Sequence, residues 1–139
     1  MNFQSESKKS GDEFEELVYQ DMVSRGFGPI DRNYYLEGSG CEVDFKAHHP
    51  IRFEYVEAKG GNPVEGKRPG ATRTDNVKKA VANGSLIKTI HDIYYVVYFS
   101  AEPEPGSYSD IMINTALKYK IIDEVRYIKI DNSILKEYN

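Results

Sequence analysis

The sequence has one cysteine, no tryptophan and no apolar run of the roughly 20 residues that span a bilayer. The single cysteine, Cys41, excludes an internal disulfide and is expected to be a partly buried structural thiol. The longest hydrophobic stretch, Ile93 to Phe99, has the length of a strand. The first nine residues are mostly polar and lack the apolar core of a signal peptide. We therefore expect a cytoplasmic protein without a membrane partner.

The chain has 139 residues, enough for one hydrophobic core and too few for two. Its 40% hydrophobic and 29% charged residues are typical of a globular protein and argue against a disordered one. We predict a single domain over residues 1–139.

Charge is distributed unevenly along the chain. The net charge of -4 argues by itself against a protein that coats nucleic acid nonspecifically. Residues 6–44, however, contain ten acidic and four basic side chains, whereas residues 59–79 contain six basic and two acidic ones. The chain thus has an acidic part and a basic part.

The apolar spacing predicts the element order α-β-β-β-α-β, followed by a further helix and strand. Ser10 and Glu13 form a capping box at the start of the first helix, and Thr74 is placed to cap the second. Asn83 and Gly84 either weaken the middle of that second helix or end an early segment of it. The predicted fold class is α/β, with a mixed central sheet flanked by helices.

A hairpin is predicted from two alternating runs, Cys41–Ala47 and Arg52–Lys59. A turn centred at Pro50 and the next residue places Asp44 across from Glu57, and Glu42 across from Lys59, all on one face. This register is a hypothesis, because a slip by one residue puts the acids on opposite faces.

The second run ends in Glu57-Ala58-Lys59, followed by two glycines. Residues i and i+2 of a strand share a face, so the Glu57 carboxylate and the Lys59 ammonium point into one space. The backbone carbonyl of Ala58 can add an oxygen ligand. Carboxylate and carbonyl oxygens suit Mg²⁺, which can promote displacement at phosphorus.

With these residues in place, the sequence resembles the PD-(D/E)XK nuclease superfamily, which has the restriction-endonuclease-like fold. The resemblance is carried by three segments between residues 11 and 99: G-x-x-F-E at Gly11–Glu15, E-V-D-F at Glu42–Phe45, and V-E-A-K-G-G at Val56–Gly61. Val43 replaces the proline of the motif. The only glutamines are Gln4 and Gln20, so the Q-x-x-x-Y element of RecB-like nucleases is missing.

The resemblance implies a Mg²⁺-dependent endodeoxyribonuclease that hydrolyses phosphodiester bonds in DNA, with Mn²⁺ expected to substitute. It implies that Asp44 and Glu57 bind the metal, that Lys59 orients or helps to deprotonate the attacking water, and that Glu15 completes or supports the metal shell. Glu15 is also the carboxylate nearest the apolar stripe of the first helix. No organic cofactor is implied.

Basic residues follow the catalytic motif and are candidate contacts for DNA phosphates. They are Lys67, Arg68, Arg73, Lys78 and Lys79. Arg73, Lys78 and Lys79 fall at the start of the second helix, where backbone N–H groups also attract phosphate. Each neutralised phosphate adds salt dependence to binding.

Alternatives remain open at this point. A junction resolvase of the same superfamily would use the same residues, and a catalytically silent nucleic-acid-binding module would not need the acids. The acids and Lys59 also fit a solvated sheet face, with Glu42 paired to Lys59. Homodimerisation, with the segment after Pro105 as a candidate interface, is a further hypothesis, because small single-domain nucleases of this kind often act as dimers to cut both strands.

Eleven tyrosines are a large number for a chain of this length, and tyrosine rings can stack on bases. Tyr94, Tyr95 and Tyr98 lie in the predicted core strand, where packing is the better interpretation.

Overall fold

The computed structural model describes residues 3–60 and 69–129, with side chains from residue 13 onward. In chain order the elements are α1 (Phe3–Ser24), β1 (Ile30–Leu36), β2 (Cys41–Ala47), β3 (Glu54–Lys59), a 3-10 turn (Gly70–Thr72), α2 (Thr74–Ile90), β4 (Tyr95–Phe99), α3 (Tyr108–Lys118) and β5 (Glu124–Tyr127). The predicted order of helices and strands is confirmed. The predicted terminal turn at residues 133–138 lies outside the described residues.

The five strands form one sheet in the spatial order β1-β2-β3-β4-β5. The first two neighbouring pairs are antiparallel, and the last two are parallel. Each parallel connection contains a helix, α2 or α3, because parallel neighbours need a long crossover. The predicted mixed α/β sheet is confirmed, and its restriction-endonuclease-like character stays a prediction.

Helices cover both faces of the sheet. α1 buries Phe14, Val18 and Met22 in a core shared with one face. The other face packs against α2 and α3 through Val77, Ala80, Ile87, Ile113 and Ala116. Each large apolar side chain buried in this way contributes roughly 1.5–3 kcal/mol. Since the sheet lies between two layers, polar groups on it reach solvent mainly at strand ends or where strands part.

The first helix begins earlier than the sequence predicts. α1 starts at Phe3, so the prediction of Ser10 as N-cap is wrong. Residues 3–9 contain neither glycine nor proline, and the helix therefore extends through them. Its end is as predicted: Gly26 has φ 91°, its amide bonds the carbonyl of Val23, and the following amide bonds that of Met22. This pair of bonds is a Schellman cap.

The second helix is longer than the Asn83-Gly84 pair suggests. Arg73 holds the cap position without a capping side-chain bond, so the prediction that Thr74 caps the helix is wrong. α2 continues through Gly84, where a Cβ atom would lie 2.5 Å from the carbonyl oxygen of Ile121. Glycine is therefore required for close packing at this position. Among the residues described, none of the three helices is long and apolar enough to cross a membrane.

The buried side chains of β2 switch from one side of the sheet to the other at Asp44. Cys41 and Val43 belong to the core under α2 and α3, whereas Phe45 and Ala47 belong to the core under α1. Alternate residues of a regular strand share one face, so the strand must turn over between Val43 and Phe45. Asp44 lies at this point. The change leaves Glu42 exposed on the face opposite Lys59, and the prediction that these two are neighbours on one face is wrong.

Candidate active site

β2 and β3 part at the position of Asp44. Their main-chain pairing matches Lys46 with Tyr55 and Phe45 with Val56, in the predicted register. Beyond this point the Ala58 amide donates a 2.7 Å hydrogen bond to Oδ2 of Asp44. A side-chain carboxylate thus accepts from a β3 amide that would otherwise bond the neighbouring strand. The bond fixes the Asp44 carboxylate at the carboxyl end of β3.

Glu57 lies beside Asp44 on the face of β3 that α2 covers. It is only 3% exposed. Asn83 of α2 donates from Nδ2 to one Glu57 oxygen at 2.8 Å. The Nζ atom of Lys59 lies 3.1 Å from the other oxygen. The prediction that Glu57 and Lys59 share one space is therefore confirmed, and the ion pair of Lys59 is with Glu57.

The electrostatics of this site are unfavourable to the Glu57 charge. Burial raises the pKa of Glu57, and the nearby Asp44 carboxylate raises it further, while Lys59 and the Asn83 hydrogen bond act in the opposite direction. Burial and the charges of Glu57 and Asp44 also raise the pKa of the Tyr95 phenol well above its ordinary value. The cluster is therefore short of positive charge.

Glu15 lies near the end of β3 through the packing of its neighbour Phe14. A Cβ atom at Gly60 would lie 2.8 Å from the Phe14 Cβ, so α1 packs directly against the residue that follows Lys59. Glu15 is half-buried there. In the described part of the chain, no three His, Cys, Asp or Glu side chains form a metal-holding group. The roles of Glu15 and of the Ala58 carbonyl as ligands stay predictions.

Only some of the predicted phosphate contacts are described. Arg73 is half-buried at the cap of α2, and Lys78 and Lys79 are exposed on its first turns. Lys67 and Arg68 lie outside the described residues.

Asn76 connects the start of α2 to the site. Its Nδ2 donates to the carbonyl of Gly60 at 3.2 Å and to that of Gly70 at 3.0 Å. Asn76 therefore joins the residue that follows Lys59 to the 3-10 turn that precedes α2.

Sequence reasoning missed both asparagines of α2. Asn76 and Asn83 are seven residues apart and fall on the same helical stripe as the buried Ala80 and Ile87. An amide at such a position needs a partner, because burial of an unpaired polar group is costly. Two asparagines in an apolar stripe thus indicate that their side-chain amides have polar partners in the fold. Asn83 also accepts a 3.6 Å bond from the buried Cys41 thiol.

Comparison with known proteins yields no match: no family model fits the chain, and no curated protein or solved structure is significantly similar to it. A functional assignment therefore depends on the geometry and chemistry of the site.

Proposed function

We propose that this protein is a Mg²⁺-dependent endodeoxyribonuclease with Asp44, Glu57 and Lys59 at its catalytic centre. One observation carries the proposal: two carboxylates and one ammonium converge where β2 and β3 part, with the Asp44 carboxylate on the Ala58 amide and Lys59 on Glu57. Convergent acids repel each other and are costly to bury, so a purely structural role explains them poorly.

The donor set suits Mg²⁺. The carboxylates of Asp44 and Glu57 would bind the ion, with the Ala58 carbonyl and Glu15 as further ligands. Mg²⁺ is held in proteins by one or two carboxylates, and water and substrate phosphate complete its shell. A bound cation would also relieve the charge imbalance that raises the pKa of Glu57. It would lower the pKa of a bound water molecule and stabilise negative charge at phosphorus.

Lys59 supplies the positive charge of the site. Its side chain is 20% exposed and its ammonium already bonds Glu57, so it lies between the buried carboxylate and solvent. From there it can donate to a water molecule or to a phosphoryl oxygen. Asp44 and Glu57 orient that water as acceptors, and the scissile phosphate enters from the exposed side.

Basic residues near the site would bind the flanking DNA phosphates. Arg73, Lys78 and Lys79 lie at the start of α2, which Asn76 ties to the end of β3. We include Lys67 and Arg68 in this surface on the basis of the sequence alone. Each phosphate contact adds to the loss of affinity on raising the salt concentration.

The proposal is tested by digestion of supercoiled plasmid with the purified protein in Mg²⁺ and in EDTA, beside Lys59→Ala and a control, Lys118→Ala, at an exposed position of α3. We expect cleavage by the wild type and by Lys118→Ala in Mg²⁺ only, and none by folded Lys59→Ala. Wild-type cleavage by Lys59→Ala would overturn the proposal. Preferential cutting of a four-way junction over linear DNA would identify a junction resolvase instead.

A catalytically silent nucleic-acid-binding module is the second candidate. It is favoured by one observation, namely that Asn83 and Lys59 already engage both oxygens of Glu57. Such a module would bind DNA equally in Mg²⁺ and EDTA and would cut in neither.

A further inference from the structure

A groove lined with aromatic side chains lies at the β1 edge of the sheet. It has a volume of about 470 Å³ and is lined by Tyr34, Tyr35, Leu36, Glu37, Tyr55 and His91. His91 Nε2, at the end of α2, donates to the Glu37 carbonyl at 2.7 Å, which joins the helix to the turn after β1. Tyr34 and Tyr55 meet edge to face with their ring centroids 5.9 Å apart. The groove is therefore preformed by packed elements.

A lysine is held at the aromatic wall of this groove. The Nζ atom of Lys46 lies 4.6 Å from the ring centroid of Tyr34, 5.1 Å from that of Phe53 and 5.8 Å from that of Tyr55. Contacts of this kind attract the ammonium to the ring faces and restrict its position. The wall thus combines flat aromatic surface with one fixed positive charge.

The groove adjoins the proposed active site along the same strands. Tyr55 is two residues before Glu57 on β3 and lies on the same face, and Lys46 is two residues after Asp44 on β2. A strand rises about 3.3 Å per residue, so Tyr55 lies roughly 7 Å along β3 from Glu57.

We propose that this groove binds an unpaired nucleobase of the DNA strand, stacked on Tyr34, with Lys46 at the adjoining phosphate. The choice of DNA rests on the proposed nuclease function. Aromatic side chains stack on any base and tolerate different sequences. Bases inside a duplex are already stacked on one another, so the groove selects single-stranded or locally unpaired DNA.

The test is fluorescence anisotropy in EDTA with the full chain, using labelled oligothymidine and an abasic oligonucleotide of the same length. We expect Tyr34→Leu to weaken oligothymidine binding about tenfold and to leave abasic binding unchanged. Lys46→Gln should weaken both. Circular dichroism checks that Tyr34→Leu is folded, because Tyr34 packs against the core. The matched control is Lys118→Gln with Tyr119→Leu. These two exposed residues lie at the end of α3, with the Lys118 Nζ atom 5.4 Å from the ring centroid of Tyr119.

Equal affinity of the wild type for oligothymidine and abasic DNA would overturn the groove proposal, as would unchanged oligothymidine binding by folded Tyr34→Leu. Plasmid digestion separates this failure from failure of the proposed function. Cleavage without base-dependent binding refutes the groove and leaves the nuclease standing. Base-dependent binding without cleavage refutes the nuclease and leaves the groove standing.

Discussion

Two glutamates on β3, three residues apart, are both buried and yet have very different surroundings. Glu54, at the start of the strand, is completely buried, and Glu57, near its end, is 3% exposed. Arg126 binds both oxygens of Glu54 at 2.9 and 3.0 Å, and Arg52 adds a bond at 3.0 Å. Glu57 has one ammonium, one amide and a neighbouring carboxylate.

The difference distinguishes a structural acid from a functional one. Two guanidinium groups, which also pair with Glu124, balance the charge of Glu54, as a buried acid requires for stability. Glu57 is left under-compensated, which is typical of sites that recruit a cation or perform acid-base chemistry. The imbalance at Glu57 is therefore the physical basis of the proposed metal site.

The largest effect is expected from removing the functional acids. Asp44→Asn and Glu57→Gln should each lower the rate of Mg²⁺-dependent plasmid cleavage by about three to four orders of magnitude, roughly 4–5 kcal/mol in activation free energy. Both variants should remain folded, because each amide is close in shape to the acid it replaces. Single-turnover digestion with circular dichroism checks this, and cleavage within tenfold of wild type contradicts the comparison.

The structural acid should behave in the opposite way. Glu54→Gln removes a buried carboxylate partner of Arg126 and leaves Glu124 as its remaining described ion pair, so we expect the free energy of unfolding to fall by about 3–4 kcal/mol. Cleavage at a temperature where the variant is folded should persist. Urea denaturation measures the loss.

A double variant sharpens this result. Glu54→Leu with Arg126→Met removes both charges, and it should cost less than either single change. A double variant as unstable as the sum of the two singles would show that the pair is not coupled.

The two regions should also differ in their response to pH. Burial raises the pKa of Glu57, so the folded state binds a proton at this carboxyl more tightly than the unfolded state does. The contribution of Glu57 to the free energy of unfolding therefore falls as pH rises above about 4.5. Burial acts in the same direction on Glu124, but hydrogen bonds from Arg126 and Tyr94 outweigh it and lower the pKa of Glu124. Glu124 therefore stabilises the fold above its unfolded pKa, and this stability is lost as pH falls.

Unfolding free energies in EDTA, measured from acid to neutral pH, test these signs. Relative to wild type, Glu57→Gln should gain stability and Glu124→Gln should lose stability as the pH rises. The same sign for both variants would remove the electrostatic distinction between the two regions.

The smallest effect is expected at Asn83, which acts through Glu57. Asn83→Ala removes the 2.8 Å hydrogen bond and should weaken Mn²⁺ binding about tenfold, as loss of such supporting contacts commonly does. The matched control is Asn114→Ala, an exposed asparagine of α3 that bonds only within its own helix in the described structure. Equal Mn²⁺ affinity in the two variants would show that Asn83 does not position Glu57.

Much of this arrangement was predictable from local pattern. Apolar spacing is a local property, so the element order and the register that brings Asp44 to Glu57 followed from the sequence. The start of α1 did not, because a capping box at Ser10 competes with a helix-compatible stretch before it. The turn-over of β2 at Asp44 depends on which helix covers each half of the strand.

Long-range polar partners were beyond sequence reasoning. Glu54 and Arg126 are 72 residues apart and meet only because β5 joins the sheet beside β4. Asn83 was interpreted as a weak point in a helix, although its amide supports Glu57. The Glu54–Arg126 pair is determined by the topology of the sheet, and the Asn83–Glu57 bond is determined by the packing of α2 on β3. The spacing of Asn76 and Asn83 indicates that they need partners, but it does not identify those partners.

The most direct test of the central claim is calorimetric titration of Mn²⁺ into the wild type, Glu57→Gln and Glu54→Gln at neutral pH, below the unfolding temperature of each. Because the charge of Glu57 is under-compensated, we expect Mn²⁺ to bind the wild type and Glu54→Gln. We expect no Mn²⁺ binding by Glu57→Gln. Equal binding by the wild type and Glu57→Gln, or no binding by the wild type, would contradict it.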